Sequence, residues 1–527
     1  MFSNPELWFA IIPAIIIFLY GIDNFSREMQ KAIGSQFNYL LKWLTKGKIR
    51  ATIFGALITA IIQASAATTL IAIGLVNTGA ITFSQSLGII FGANIGTTVT
   101  SQLVAFNLMQ FAPILIIIGF VLSLLKTKYK VFGKPIFYFG LVMFALNIIS
   151  ISVIPFKSDP ELMALLAQTS IIPIGILIGF LITNIFQSSS VTTGLVVILA
   201  QNGMLGLPEA LPILFGANIG TTVLSIIVSI RMDAFAKRAA LAHFLFNFIG
   251  VLICLPLIGL IINAVEFIGG STAQQVANSH LIFNLFTTII LLLFINYFQK
   301  IVERLIPTEE EEIVLRTKNL ENLKNEKTPK IFSLIELELK NNFDSIIKLF
   351  NENNVLLLSN KISNSKISKL SALVEYTHNE IKKILTMLFK NPDKKESEKI
   401  LLFARISTLC NQISDSGKKL GETIIFAKEN KIDFSEEGKR DIDECLAKLT
   451  ENMIIIKEKF PNFDKKSSIE MTKNSNYLRK TITKSYEEYL KRISKGQSTS
   501  GSIFAESLSI IQDLESKIRE IRKIFEK

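Results

Sequence analysis

The chain is 527 residues long, with 49% hydrophobic and 19% charged residues and a mean hydropathy of +0.42. That is too apolar for an ordinary soluble protein and too charged for a bare membrane bundle, and it excludes both disorder and a disulfide scaffold. The formal charge of +12 hides an asymmetry: residues 1–305 carry 16 Lys and Arg against 9 Asp and Glu, and residues 306–527 carry 40 against 35. The first part reads as a polytopic membrane domain and the second as a soluble helical domain, whose near-neutral balance calls for no nucleic acid. Cys254, Cys410 and Cys445 are scattered, with no metal spacing and no disulfide framework, and the last two suit a reducing cytosol. No signal peptide is expected, because the first apolar stretch lacks a basic leader and further spans follow.

In chain order the apolar stretches are 7–25, 49–76, 82–105, 109–126, 132–155, 170–203, 209–230, 239–263 and 279–299. If all nine cross, the basic clusters scatter to both sides. If 49–76 and 170–203 instead enter and leave on one face, seven crossings remain. Arg27–Arg50, Lys126–Lys134, Arg231–Arg238 and Lys300–Arg304 then share one face. Asp159, Glu161, Glu209 and Glu266 share the other, with Lys157 the one basic exception. The positive-inside rule selects the second arrangement. It predicts an outside N-terminus, a cytoplasmic soluble domain, one hairpin dipping in from each side, and hence an inverted-topology repeat. After the first span, Ile33, Phe37, Leu40, Leu41 and Leu44 share a helical face opposite Lys31, Gln36 and Lys42, as an interfacial helix requires.

The two dipping stretches are related in sequence. Residues 55–99 align without gaps on 179–223 at an offset of 124, with about half the positions identical. Gln63-Ala-Ser-Ala-Ala-Thr-Thr69 matches Gln187-Ser-Ser-Ser-Val-Thr-Thr193, and Gly92-Ala-Asn-Ile-Gly-Thr-Thr98 matches Gly216-Ala-Asn-Ile-Gly-Thr-Thr222. Small residues alone would mark close helix packing. Packing does not need Gln, Asn and a Thr pair to recur together at fixed spacing. Backbone that breaks a helix at membrane depth survives where it is buried in protein or lines a cavity. It exposes N–H groups at a positive dipole end, which with Ser and Thr hydroxyls and a Gln amide forms an anion site without Lys or Arg. The carbonyl and hydroxyl oxygens of the same fragments suit a hard cation such as sodium.

These paired blocks, together with the charged helical C-terminal half, resemble the sodium/phosphate cotransporter family in its bacterial form with a PhoU-like domain. The resemblance implies an all-α fold: a membrane domain at 1–305, a linker at 306–332 and a cytoplasmic PhoU-like helical domain at 333–527. Repeat one spans about 7–126 and repeat two about 132–255, with an extra span at 279–299. It implies that Ser65, Ser188, Ser189 and Ser190, with Asn94 and Asn218, lie at the phosphate site. It implies sodium ligands from Gln63, Gln187, Thr68, Thr69, Thr192, Thr193, Thr97, Thr98, Thr221 and Thr222. Ala64 and Ala66 depart from the family pattern by replacing two serines of repeat one. The expected function is sodium-coupled transport of inorganic phosphate across the inner membrane, with self-association possible. A sodium-linked carrier of another oxyanion and a membrane-anchored phosphate-signalling scaffold are the alternatives.

Two further pairs stand out. His243-Phe-Leu-Phe-Asn and His280-Leu-Ile-Phe-Asn, 37 residues apart, each read as an interfacial histidine at the start of a span rather than a proton relay. Arg231, Asp233, Lys237 and Arg238 read as a cytoplasmic loop. In the soluble half, helices are expected near 333–352, 365–390, 396–428, 434–459, 466–494 and 500–526, enough for two three-helix bundles. Glu437 and Asp441 read as a solvated face rather than a metal pair. No catalytic Ser/His/Asp set, phosphate-cradling Gly loop or zinc spacing appears, so an enzyme is not expected and no organic cofactor is called for.

Overall fold

The structure, a computed structural model, describes residues 5–33, 47–106, 108–126, 129–308, 311–320, 323, 326–359, 365–389, 392–494 and 501–526. The expected interfacial helix falls mostly in 34–46 and so lies outside the described residues. The described residues are helical or irregular, with no strand among them. The chain divides into two compact units, Met1–Glu310 and Glu311–Lys527.

The first unit opens with α1 (Pro5–Ile33), α2 (Lys48–Ile62), α3 (Ser65–Asn77), α4 (Phe83–Gly96), α5 (Thr98–Ala105) and α6 (Ala112–Leu124). It continues with α7 (Lys130–Val153), α8 (Pro160–Ala167), α9 (Ile172–Phe186), α10 (Ser189–Gln201), α11 (Leu207–Gly220) and α12 (Val223–Ser229). Then follow α13 (Ala234–Cys254), α14 (Ile258–Ile268), α15 (Thr272–Leu293) and α16 (Ile295–Leu305). The bounds of α2, α3 and α4 recur at α9, α10 and α11 with the same offset of 124 that relates the sequences. Among the described residues, six helices are long and apolar enough to cross a membrane: Ala10–Ala32, Phe83–Ala105, Lys130–Ser158, Leu207–Ser229, Ala234–Cys254 and Thr272–Leu293. A seventh is reached if Pro160–Ser170 and Ile172–Phe186, bent by 106°, count as one span. The expected crossing at 109–126 is a shorter apolar helix, Leu108–Leu124.

The stretches expected to dip are each cut into two short arms. At about 1.5 Å per residue, arms of 15 and 13 residues reach about 22 and 20 Å, short of a ~30 Å hydrocarbon core. The first arm of each hairpin, α2 or α9, packs closely along α4 or α11. Glycine makes that possible: a Cβ on Gly92 would sit 1.9 Å from the Thr52 carbonyl oxygen, and one on Gly216 1.9 Å from that of Ile176. Backbone therefore lies on backbone, as small residues allow between apolar helices. Ile114, Ile117 and Phe120 on α6 and Leu177, Leu181 and Ile185 on α9 stay exposed, as lipid-facing positions would.

Three expectations are corrected here. The stretch 239–263 is not one span: α13 ends at Cys254 and α14 begins at Ile258, around Leu255-Pro256-Leu257, because proline has no N–H to continue the helix. Lys237 and Arg238 are not in a loop. Asp233 caps α13 by accepting from the Ala236 N–H at 2.7 Å, and Arg238 is buried, its Nε donating to the Ile306 carbonyl at 2.9 Å. His243 and His280 do not begin their spans. α13 and α15 start nine and eight residues earlier, and both histidines are buried, with 0% and 2% exposure. Hydropathy misses these starts because the opening turns are rich in Ala, Gln, Asn and Lys.

Among its described residues the second unit holds six long helices, α17 (Thr328–Leu358), α18 (Ser365–Leu388), α19 (Lys394–Glu429), α20 (Glu436–Lys459), α21 (Lys465–Ser494) and α22 (Gly501–Phe525). α17 starts five residues before the expected 333, with Pro329 in its first turn, where a missing N–H costs nothing. α17, α18 and α19 pack on one another, as do α20, α21 and α22, and α17 with α20 and α19 with α22 join the two trios. Ile406, Leu409, Ile413, Leu420 and Ile424 all point into one apolar core. Cys410 and Cys445 lie there too. Burial raises the Cys410 thiol pKa and pushes that of Cys445 up to about 12, so neither is a reactive thiolate. Deleting residues 311–527 is expected to leave a folded, monodisperse membrane unit, since each unit has its own core. Aggregation of that truncation in size-exclusion chromatography, under conditions where the full chain is monodisperse, would contradict the division.

Candidate functional site

The hairpin breaks are made by the two glutamines. Gln63 ends α2 in the left-handed region (φ 59, ψ 25), and Gln187 ends α9 in the same way (φ 54, ψ 25). A side-chain-bearing residue pays about 1–2 kcal/mol for that conformation, and such strain gathers at functional sites. The next residue, Ala64 or Ser188, is extended, and a new helix starts at Ser65 or Ser189. Neither new N-terminus has a side-chain cap. Each thus presents free N–H groups beside hydroxyls, the physical requirement for holding an anion. Among the described residues the hydroxyls of Ser65, Ser188, Ser189 and Ser190 bond to no protein group. No hydrogen bond joins the Ser65 block directly to the Ser188–Ser190 block.

The other predicted residues divide by the bonds they make. Thr68 Oγ1 meets Thr59 Oγ1 at 2.9 Å, and Thr192 Oγ1 meets Thr183 Oγ1 at 2.7 Å, so both tie the two arms of a hairpin together. Thr69 Oγ1 is buried without a partner among the described residues, whereas Thr193 Oγ1 donates to the Ser190 carbonyl at 3.3 Å. Asn94 and Asn218 donate through Nδ2 to the Ile90 and Leu214 carbonyls, 2.8 and 2.9 Å away, which leaves each Oδ1 for another group. Thr97 and Thr221 are buried where α4 and α11 end. Thr98 and Thr222 each donate to a carbonyl three residues back, at 2.7 Å. α10 packs against α5 and α3 against α12, so the second arm of each hairpin lies on the other repeat.

The two repeats are not equivalent at their glutamines. Gln63 is buried; its Nε2 donates to the Ala60 carbonyl and its Oε1 accepts from Thr100 Oγ1 at 2.7 Å. Gln187 is exposed, its Nε2 donating to the Asn184 carbonyl at 2.8 Å. Leu224 stands where repeat one has Thr100, so no hydroxyl is there to hold Gln187. Thr100, Thr59, Thr183, Ser101 and Ser225 were not singled out from sequence. Ser101 and Ser225 recur at the offset of 124, two residues beyond the aligned block, and that signal could have found them.

Residues 51–125 and 162–208 hold no charged side chain, so the charges of the first hairpin are confined to Lys48 and Arg50 in the first turn of α2 and the second hairpin carries none. Among the described residues no group of three His, Cys, Asp or Glu stands close enough to hold a metal ion. The chemistry on offer is N–H dipoles, hydroxyls and amide oxygens.

The profile of the Na+/Pi-cotransporter family matches residues 17–151 and 159–270, a span that contains both hairpins and both Gly-Ala-Asn blocks. The membrane unit belongs to the Na+/Pi-cotransporter family. Among individual relatives, the Bacillus subtilis (strain 168) protein YqeW, named as uncharacterized, is 28% identical over 300 residues, covering 56% of this chain and 97% of its own. Escherichia coli (strain K12) YjbB, whose name proposes inorganic phosphate export, is 24% identical over 475 residues, covering 89% of this chain and 88% of its own, and so extends into the second unit. The sodium-dependent phosphate transport protein 2A of Ovis aries is 42% identical over 91 residues, 16% of this chain and 14% of that protein. No solved structure matches the chain significantly. This Na+/Pi-cotransporter unit is thus a multi-pass helical protein of a phosphate-transporting family.

Proposed function

We propose that the chain is a sodium-coupled secondary transporter of inorganic phosphate in the inner membrane. The observation that carries the reading is the pair of hairpins, each broken at a left-handed glutamine to present an uncapped helix N-terminus with unbonded serine hydroxyls, in a membrane unit of this family. Phosphate is held by N–H groups and the hydroxyls of Ser65, Ser188, Ser189 and Ser190, with Asn94 and Asn218 alongside. Sodium is held by oxygens of Gln187, Thr69, Thr97 and Thr221. Gln63, Thr68, Thr192, Thr193, Thr98 and Thr222, already bonded within the protein, shape the hairpins around it. The two repeats have inverted topology, which supports alternating access about a shared site. The second unit, two packed helical trios, is a PhoU-like regulatory domain on the cytoplasmic side.

Labelled phosphate flux into and out of proteoliposomes tests this, with a sodium gradient set in either direction. Flux that follows sodium, resists replacement by choline and is inhibited by arsenate more than sulfate is expected. Absence of both net flux and phosphate counterflow would favour a signalling scaffold, and stronger inhibition by sulfate another oxyanion. The orientation has its own check. Cysteines at Ser158 and Glu266 are expected to react with an impermeant maleimide on intact cells, and one at Lys237 only after permeabilisation; the reverse pattern would sink the inverted repeat.

A further inference from the structure

Two histidine–asparagine pairs lie outside everything assigned above. His243 and Asn247 sit one turn apart on α13, and His280 and Asn284 one turn apart on α15. All four are buried, none exposed by more than 2%. In each pair the asparagine Nδ2 donates to the histidine carbonyl, at 3.1 and 2.9 Å, which fixes the amide. In each pair the histidine Nδ1 bonds a serine hydroxyl, Ser225 Oγ at 3.2 Å and Ser101 Oγ at 2.8 Å. Those serines are equivalent positions of the two repeats, just after the Gly-Ala-Asn blocks. Three residues beyond each histidine the symmetry continues. Phe246 packs on Phe91 with centroids 4.9 Å apart, and Phe283 on Phe215 with centroids 5.0 Å apart. Each bridging helix therefore bonds one repeat and packs on the other.

The remaining atoms, Nε2 of both histidines and Oδ1 of both asparagines, are buried and have no hydrogen-bond partner among the described residues. Native proteins satisfy nearly all such atoms, with protein or with ordered water. The same two orphan atoms recur in both pairs, on helices whose sequences repeat at an offset of 37. Their chemistry selects the partner. Oδ1 can only accept. Nε2 donates if the serine donates to Nδ1, and accepts if Nδ1 donates to the serine. Water serves both cases, accepting from Nε2–H while donating to Oδ1, or donating to both. A hard cation prefers oxygen to imidazole nitrogen. Of the helices packed on these two, α3, α4, α5, α10 and α12 bring no charged side chain; α11, α14 and α16 bring Glu209, Glu266, Lys300, Glu303 and Arg304, and α13 itself carries Lys237 and Arg238.

We propose that each pair holds one ordered water bridging histidine Nε2 to asparagine Oδ1, and that His243 and His280, through their Nδ1–serine bonds, are positioning residues for the helices that follow the two Gly-Ala-Asn-Ile-Gly-Thr-Thr blocks. The water assignment stands apart from the transport reading; the positioning role rests on it. His280 acts through Ser101, whose neighbour Thr100 holds Gln63 at the first hairpin break.

A high-resolution structure of the full chain in a lipid nanodisc tests the first part. Density within hydrogen-bond reach of both Nε2 and Oδ1 at both pairs is expected, in sodium and in choline buffer alike. A direct histidine–asparagine bond, no density, or a peak present only in sodium with the coordination of a metal ion would overturn it. Two substitutions test the second part. His280→Asn places an amide where Nδ1 was and keeps the Ser101 bond; His280→Gln reaches the Nε2 position and keeps the water but not the serine. At equal thermal stability, His280→Asn is expected to transport within about twofold of wild type and His280→Gln about tenfold more slowly, the scale of one lost hydrogen bond. Equal losses in both would overturn the positioning role. A wild-type protein without phosphate flux would instead count against the transport reading and leave the water density as the measure of this one.

Discussion

Gly92→Ala and Gly216→Ala are each expected to unfold or inactivate the membrane unit. The added Cβ would lie 1.9 Å from the carbonyl oxygen of Thr52 or Ile176, far inside contact distance. The obstacle is backbone of the neighbouring hairpin arm, so no rotamer change relieves it. The arm must move away from α4 or α11, and close contact is what holds apolar helices together in lipid, where the hydrophobic effect contributes little between them. A single overpacked methyl costs about 1–3 kcal/mol when side chains can shift, and here the backbone must shift instead. Loss of most transport and a large fall in melting temperature are expected for both. Gly74→Ala and Gly259→Ala are the controls, since a Cβ there meets nothing within 4 Å. A Gly92→Ala protein with wild-type stability and flux would refute the backbone-to-backbone packing.

The second large effect concerns coupling. A phosphate dianion left unpaired in a low-dielectric site would cost tens of kcal/mol, and no Lys or Arg lies within residues 51–125 or 162–208, which hold both hairpin breaks. Lys48 and Arg50 stand in the first turn of α2, at the end of that arm away from the break at Gln63; hydroxyls and helix dipoles at the breaks supply partial charges, so co-bound cations are expected to do most of the neutralising. Moving a bare dianion inward against 100 mV would cost about 4.6 kcal/mol, at about 2.3 per charge. Two sodium ions cancel that term and a third adds a drive of about 2.3 kcal/mol. At least two sodium ions per phosphate are therefore expected, and a sigmoidal dependence of initial flux on sodium. Gln187→Ala and Ser189→Ala are expected to weaken both the phosphate and the sodium dependence, by roughly tenfold each, because coupling between two ligands is reciprocal. Gln63→Ala is expected to act differently. Its amide is already engaged by the Ala60 carbonyl and Thr100, so its loss lowers thermal stability first. A hyperbolic sodium curve, or a Gln187→Ala protein altered for phosphate alone, would rule out a shared site.

Much of this arrangement was legible in one dimension. The offset of 124 located both hairpins, because a duplicated segment keeps its polar residues in register; the helices begin and end at matching positions. Polar blocks inside apolar stretches marked the breaks, since unbonded backbone is too costly in hydrocarbon to occur without a purpose. The six helices of the second unit followed from apolar spacing and from Pro and Gly punctuation, signals that act within a few residues.

What the sequence by itself determined was therefore local or repeated: the matching helix breaks 124 residues apart, the polar blocks beside them and the uncharged stretches that hold them. Only the tertiary structure decided which of those polar groups are already engaged. Gln63 and Gln187 look alike in the aligned blocks, yet Thr100, 37 residues on, engages the first, and Leu224 cannot do the same for the second. Arg238 looks like a loop charge until the Ile306 carbonyl, 68 residues away, is seen to take it inside. His280 looks interfacial until Ser101, 179 residues earlier, is found bonded to it. A hydrogen bond depends on atoms within about 3 Å in space, and the pattern of neighbours along a chain carries no record of partners brought together by packing.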